Sequence, residues 1–383
     1  SSSKILVSSS GSLYVSATYG YPGNILLLKY DPSGTLLLAR KFNGSGSKFN
    51  SAGMLLEDQQ GNIYMAGRSG ATINTTDVML IKFDVGGNPV WIKKHQSGAY
   101  PGPGPTIALD TQGNVYLAYS SMNASLILVI KLVKYDPAGS LLWQAADSGN
   151  APGDSEARSV TAQMDGSVYV TGSNLNNVSG IDCVTLKYSA AGTLIWKRTY
   201  DGGINNIDIG YRLVYGNDGS VYIGGSTNST GGGYDYLALK YNSSGDLLWH
   251  VSYNGTGSGT DIIRGMTLDN SGNLVVTGWS MGLGTESDMT TVKYGQPIGI
   301  QPVSVEVPGS FSLSQNYPNP FNPETKIKFS IPGGSSVAQT FLSVYDVLGK
   351  EVAILVNQTL QPGTYEVNWN AADFPSGIYF YTL

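Results

Sequence analysis

A short block, GNIYMAG from Gly61, returns along this chain every 52 or 53 residues: GNVYLAY at Gly113, GSVYVTG at Gly166, GSVYIGG at Gly219 and GNLVVTG at Gly272. GSLYVSA at Gly11 is a weaker first copy. A second block, LxKY, places its lysine at Lys29, Lys82, Lys134, Lys187, Lys240 and Lys293, so the steps are 53, 52, 53, 53 and 53. Six copies in constant phase constrain the fold more than any other feature. Repeats of this length carried on short β segments form propellers or arrays, because one unit cannot bury its apolar face without its neighbours.

Each repeat reads as four short strands. In the fifth, SVYIGG (Ser220 to Gly225) leads through a loop to YLALKY (Tyr236 to Tyr241), then the turn NSSG, DLLWHVSY (Asp246 to Tyr253) and RGMTLD (Arg264 to Asp269). Gly34, Gly87, Gly139, Gly192 and Gly245 stand where a hairpin turn needs positive φ. The expected fold is all-β, a six-bladed β-propeller over residues 1–295, favoured over an open superhelical array because a closed ring hides its sheet edges. Lys4 to Ser8 match the strand before each GxxY block, but the LLW strand occurs only five times, so the sixth blade is one strand short. VSVEV (Val303 to Val307) is the nearest segment that could fill the place.

Fifty glycines, 25 tyrosines and 13% charged residues suit a turn-rich secreted sheet protein. A net charge of -5 without any Lys/Arg run argues against nucleic acid as a partner. The single cysteine, Cys183, excludes an internal disulfide framework, and its register partners Val78, Tyr236 and Met289 mark it as a core residue. No apolar run approaches the roughly 20 residues of a membrane-spanning helix. No signal peptide precedes Ser1, which is read as the start of a processed form.

The blade pattern stops after Tyr294. Residues 296–309 are rich in proline and read as a linker or transitional strand, and residues 310–383 alternate like a small Ig-like β-sandwich. NYPNPFNPETKIKFSIP from Asn316, VYDVLGKEV from Val344, and QPGTYEVNWNA followed by SGIYFYTL resemble, in order, the C-terminal sorting domain of type IX secretion substrates. The resemblance implies that the type IX machinery is a partner through residues 310–383, and that the chain is exported by a Bacteroidota-type Gram-negative bacterium to its surface or the medium. Domains of this family continue into a further basic, apolar strand, which the chain ending at Leu383 does not contain. The blades separately resemble the bacterial SBBP β-propeller repeat through GxxYxxG and KYDxxGxLLW, a family with no single activity.

A catalytic site is one asymmetric constellation, so a residue present in every repeat reads as scaffold. Trp91, Trp143, Trp196 and Trp249 are expected to pack blade on blade. Asp77, Asp182, Asp235 and Asp288, each five residues before the repeat lysine, could form a ring of acids or metal ligands, but the preferred reading is a carboxylate that caps turns and bridges loops. Asp154 with Arg158, Asp208 with Arg212 and Asp261 with Arg264 read as pairs between blades. His95 and His250 occupy equivalent strands three repeats apart and share no zinc-ligand spacing with Cys183. The turn at Asp136 has similar chemistry to a sialidase Asp box with the wrong spacing, and DTQGN at Asp110 lacks the ligand density of a calcium loop. The sequons at Asn74, Asn228 and Asn254 are expected by chance in so Asn/Ser/Thr-rich a chain. The third repeat departs most from the pattern, with YPGPGPT (Tyr100 to Thr106) and the apolar run NASLILVIKLVKY (Asn123 to Tyr135), read as a strand buried on both faces or an adhesive patch.

No catalytic, cofactor-binding or metal-binding residue is assigned from sequence. The expected role is a secreted or cell-surface propeller that binds a glycan or other surface ligand or acts structurally. The alternatives are a secreted enzyme acting on polysaccharide and a homo-oligomeric filament subunit.

Overall fold

The computed structural model describes residues 3–20, 24–42, 49–70, 76–97, 102–147, 154–176, 179–203, 206–228, 233–257, 259–295, 301–304, 308–333, 338–360, 362–371 and 374–383. Asn74, Tyr100, Pro101 and residues 305–307 lie outside them. Among the described residues every regular element is a strand.

The sheets follow the sequence repeat. The first contains, in hydrogen-bonded order, Ser3–Val7, Leu13–Tyr19, Asn24–Tyr30 and Leu36–Phe42, and the second Phe49–Glu57, Ile63–Gly70, Thr76–Phe83 and Pro89–His95. The third is Thr106–Leu109, Val115–Met122, Leu128–Tyr135 and Leu141–Asp147, and the fourth Ser155–Ala162, Val168–Asn176, Gly180–Tyr188 and Leu194–Tyr200. In the fourth sheet the short strand Asn206–Ile207 also runs parallel to the start of Gly180–Tyr188. The fifth is Ile209–Tyr215, Val221–Asn228, Tyr234–Tyr241 and Leu247–Tyr253, and the sixth Ile262–Leu268, Leu274–Met281 and Ser287–Tyr294.

Local chemistry sets the turns. Asp31 accepts the amides of Ser33 and Thr35 on one carboxylate oxygen, while the Gly34 amide closes back on the Asp31 carbonyl. Asp58 and Asp110 do the same before the GxxY strands. A short polar side chain thereby replaces a backbone partner at the bend.

Successive residues of a strand send their side chains alternately to two interfaces. Ile63 and Met65 pack with Ile25 and Leu27 of the first sheet, whereas Tyr64 and Ala66 pack with Val115 and Leu117 of the third. A register slip of one residue would exchange these sets, so the pairing is strongly specified. The second strands of sheets two to five are therefore buried almost throughout, but Leu13–Tyr19 and Leu274–Met281 alternate between buried and partly exposed. The apolar run of the third repeat follows the same rule: Leu128–Tyr135 is buried on both faces except at Lys131, and Ala124, Ser125 and Leu126, in the turn before it, are exposed, Leu126 at φ +59°.

The expectation for the sixth sheet is corrected. Gln301–Ser304 form a strand, but they pair with Thr364–Glu366 of the C-terminal domain, with Gln301 opposite Glu366, and not with the edge strand Ser287–Tyr294.

Packing divides the chain into two compact units, the second made of Thr291–Leu383 with Leu247–Val251 and Thr267–Val275. Within the second, Ser312–Leu313, Glu324–Ile331, Gly363–Asn370 and Gln301–Ser304 form one sheet, and Ala338–Tyr345, Glu351–Leu360 and Phe380–Thr382 form another. Ile327, Phe329, Val367 and Trp369 of the first meet Leu342, Val344 and Val356 of the second in one core.

Candidate functional site

The repeat residues that look most like chemistry are taken up by structure. Lys82, Lys134 and Lys240 lie over the rings of Tyr64, Tyr116 and Tyr222 and pair with Asp58, Asp110 and Asp218 at 3.6, 3.3 and 2.8 Å. In the fourth and fifth repeats the turn begins with Gln163 and Gly216 instead of aspartate. There the carboxylate moves two residues on, to Asp165 and Asp218. Hydrogen bonds from the Ser167 side chain and amide, and then Lys187, hold Asp165 below the usual carboxylate range.

The tryptophans join neighbouring sheets. Nε1 of Trp91, Trp143 and Trp196 donates to the carbonyls of Pro137, Ala190 and Ser243, all in the hairpin turn of the next sheet. His95 belongs to the same kind of interface, 2.9 Å from the Tyr135 hydroxyl and beside the Tyr119 ring. Burial, with Lys93 nearby, lowers its pKa, and burial also lowers that of His250 in Leu247–Tyr253. Cys183 lies in the core shared by sheets four and five, where burial pushes its thiol up to about 12, far from a nucleophile or a metal ligand.

Of the four aspartates before the repeat lysines, Asp182 accepts hydrogen bonds from Asn176 and Ser179, and Asp288 from Thr285. The pairing proposed for the second set is not found. Among the described residues no ion pair joins Asp154 to Arg158, Asp208 to Arg212 or Asp261 to Arg264. Backbone amides compete better for these carboxylates: Asp154 takes Leu128, Asp208 takes Gly202, and Asp261 takes Gly255 and Met281.

The arginines are thereby left for one another. They sit on the first strands of sheets four, five and six, and the first strand of the fourth sheet packs against that of the fifth. Each of those two strands carries a bulge, between Ala157 and Ser159 and between Gly210 and Arg212, which releases Arg158 and Tyr211 from the ladder. The Arg158 guanidinium lies 5.3 Å from the centre of the Tyr211 ring and pairs with Glu156 at 2.6 Å. Arg212 donates to the Tyr211 carbonyl. Burial lowers the Arg212 pKa, and the positive charges of Arg264 and then Arg158 lower it further, so the three cations share one field. One carboxylate, Glu156, is paired within it. Guanidinium forks with an aromatic face suit an anionic, ring-bearing ligand. Eight residues before the GxxY glycine, where Arg158 and Arg264 stand, the first three repeats have Ser3, Gly53 and Pro105, and the fifth has Tyr211 with Arg212 beside it. The asymmetry was legible in sequence, but pairing each arginine with its nearest aspartate concealed it.

Residues 315–383 match the family described as the secretion system C-terminal sorting domain, which indicates export by type IX secretion and placement at the cell surface or outside the cell. No curated protein matches the chain. Among solved structures, similarity extends to a GH43 endo-arabinanase from Bacillus licheniformis, 16% identical over 63% of this chain and 94% of that one, with a TM-score of 0.35. A protein of unknown function from Dyadobacter fermentans is 11% identical over 76% and 92% of the two chains, with a TM-score of 0.46. The polysaccharide lyase Uly1 is 13% identical over 96% and 89%, with a TM-score of 0.43.

Proposed function

We propose that this chain is an exported six-bladed β-propeller of the SBBP repeat type, residues 1–295, that binds an acidic polysaccharide at the cell surface of a Bacteroidota-type bacterium. Residues 296–309 lead into an Ig-like sorting domain, residues 310–383, which the type IX machinery reads. The observation that carries the binding role is the field shared by Arg158, Arg212 and Arg264 beside Tyr211. Propellers commonly hold ligands at one end of a central channel, and these cations lie on the first strands of successive sheets.

Ring closure is supported by what the end sheets retain. Ile5 aligns with Leu55, which is buried against the first sheet, and Met289 aligns with Val78, which is buried against the third. Both are accessible at 67% and 88%, yet both remain apolar, whereas terminal units that cap an open array carry a polar outer face. The faces of sheets one and six are suited to cover each other. Binding is favoured over hydrolysis because, of the three acids that converge, Asp182 and Asp208 are buried and Asp201 alone is exposed, which leaves no pair of accessible carboxyl groups for acid and base.

The test is retention of the purified chain on alginate and polygalacturonate compared with neutral dextran. Binding should be selective for the acidic polymers, weaken with salt, and fall about tenfold or more in Arg212→Ala/Arg264→Ala. Equal retention on dextran, or an unaffected double variant, would overturn the assignment.

A further inference from the structure

We propose that Asp182, Asp201 and Asp208 bind a calcium ion at the end of the fourth sheet. Asp182 lies in Gly180–Tyr188, and the antiparallel register that sets Cys183 opposite Tyr200 brings Asp201, the next residue, level with it. The chain then returns through Asn206–Ile207, parallel to Gly180 and Ile181, and the Asp208 amide donates to the Ile181 carbonyl at 2.6 Å. One ligand oxygen from each of the three carboxylates lies within 4.8 Å of the others. Two oxygens bound to one calcium ion at 2.3–2.6 Å can be separated by up to about that distance.

Three acids alone would carry nothing, since acidic clusters are common. Here two of them are almost fully buried, Asp182 at 2% and Asp208 at 0% exposure. Neither Asp182 Oδ1 nor Asp208 Oδ1 has a partner at hydrogen-bond geometry, the Thr227 hydroxyl being the donor that stands beside Asp208. No lysine or arginine among the described residues pairs with any of the three. Buried, unpaired anionic oxygen is costly, and a cation removes the cost. The remaining oxygens are held in place: Asp182 Oδ2 accepts from Asn176 and Ser179, Asp208 Oδ2 from the Gly202 amide at 2.7 Å, and Asp201 Oδ1 from the Gly203 amide at 2.8 Å. A side chain at Gly202 would begin 2.6 Å from the Thr227 hydroxyl and 3.0 Å from Asp208 Oδ1, so glycine keeps the space beside that free oxygen open.

The next repeat is an internal control. Asp261 is placed as Asp208 is, its amide donating to the Tyr234 carbonyl and its Oδ2 accepting from Gly255. Its Oδ1, however, accepts the Met281 amide at 3.1 Å, and Asn254 stands where the fourth repeat has Asp201. The same loop thus exists in a form completed by backbone and in a form with a third acid and two free oxygens. An all-oxygen set of this charge suits calcium, at the affinity of extracellular modules.

Calorimetric titration of calcium into the EDTA-treated full-length chain should give one site with a Kd of about 10⁻⁴ to 10⁻³ M, and calcium should raise the melting temperature. Asp201→Asn, a change at a solvent-exposed position, should keep the far-UV circular dichroism spectrum, weaken calcium binding about tenfold or more and abolish the thermal shift. A folded chain that gives no heat and no thermal shift on the order of 10 mM calcium overturns the proposal. So does calcium binding that Asp201→Asn leaves unchanged.

Discussion

The indole of Trp143 occupies the place where a side chain on Gly192 would begin. A Cβ there would lie 2.6 Å from Cδ2 and 2.8 Å from Cε3, while Nε1 of the same ring donates to the Ala190 carbonyl at 2.9 Å. Trp91 with Gly139 and Trp196 with Gly245 repeat the contact, and Leu38 with Gly87 is its aliphatic version in the first sheet. Glycine at this turn thus serves both a backbone at positive φ and the docking of the neighbouring sheet.

These two roles separate by substitution. Gly34, at φ +87°, has nothing within 4 Å of an added Cβ, whereas Gly192, at φ +82°, has Trp143. Gly34→Ala should cost only the left-handed backbone term, about 1–2 kcal/mol. Gly192→Ala should cost roughly 1–3 kcal/mol more from overpacking. Chemical denaturation of both variants measures the difference, and equal losses would remove the tryptophan from the account.

The buried lysine pairs should be far more sensitive than the exposed one. Lys134 and Asp110 have side-chain exposures of 7% and 3%, and Lys134→Met strands a buried carboxylate at a cost of about 3 kcal/mol. Lys293, exposed at 58% in its pair with Asp269, should tolerate the same change without a resolvable shift in melting temperature. Comparable shifts in the two variants would contradict the burial argument.

His95 should make the fold acid-sensitive. Burial and then Lys93 lower its pKa, so the folded state favours the neutral ring. Its stabilisation is complete above the ordinary value of about 6.5 and is lost as the pH falls below that toward the lowered folded value. His95→Gln, which retains a partner for the Tyr135 hydroxyl, should therefore lose less melting temperature between about pH 7.5 and 5.5 than the parent chain. Parallel pH profiles would show that this ring does not titrate with unfolding.

Ile5 tests closure of the repeats. If sheets one and six cover each other, Ile5→Asp buries a charge and should destabilise the monomer by several kcal/mol. If the face is instead covered by a second copy, the parent should sediment as an oligomer that the variant dissociates. A monomeric parent whose melting curve the variant leaves unaltered would mean that the face stays open.

The periodicity of GxxY and LxKY contained the all-β class, the strand order within each sheet and the burial of Cys183. All of these follow from pairing between segments near in sequence, where alternation of side chains and positive-φ glycines leaves one workable register. The tryptophan interfaces were legible for the same reason, since an interface repeated by the chain must be repeated by the fold. Tertiary structure alone decided where Gln301–Ser304 would pair, because the edge of the sixth sheet and the edge strand Gly363–Asn370 both offer unpaired backbone, and alternation cannot choose between them. It also decided the partners of Asp208 and Arg212. Three residues separate them, which in sequence suggests a pair; the parallel return of Asn206–Ile207 brings the carboxylate to the Gly202 amide and beside Asp182, and the bulge at Tyr211 leaves the guanidinium among other cations. Which charges meet is set by loop returns and bulges, whose geometry depends on contacts between repeats that a single repeat does not encode.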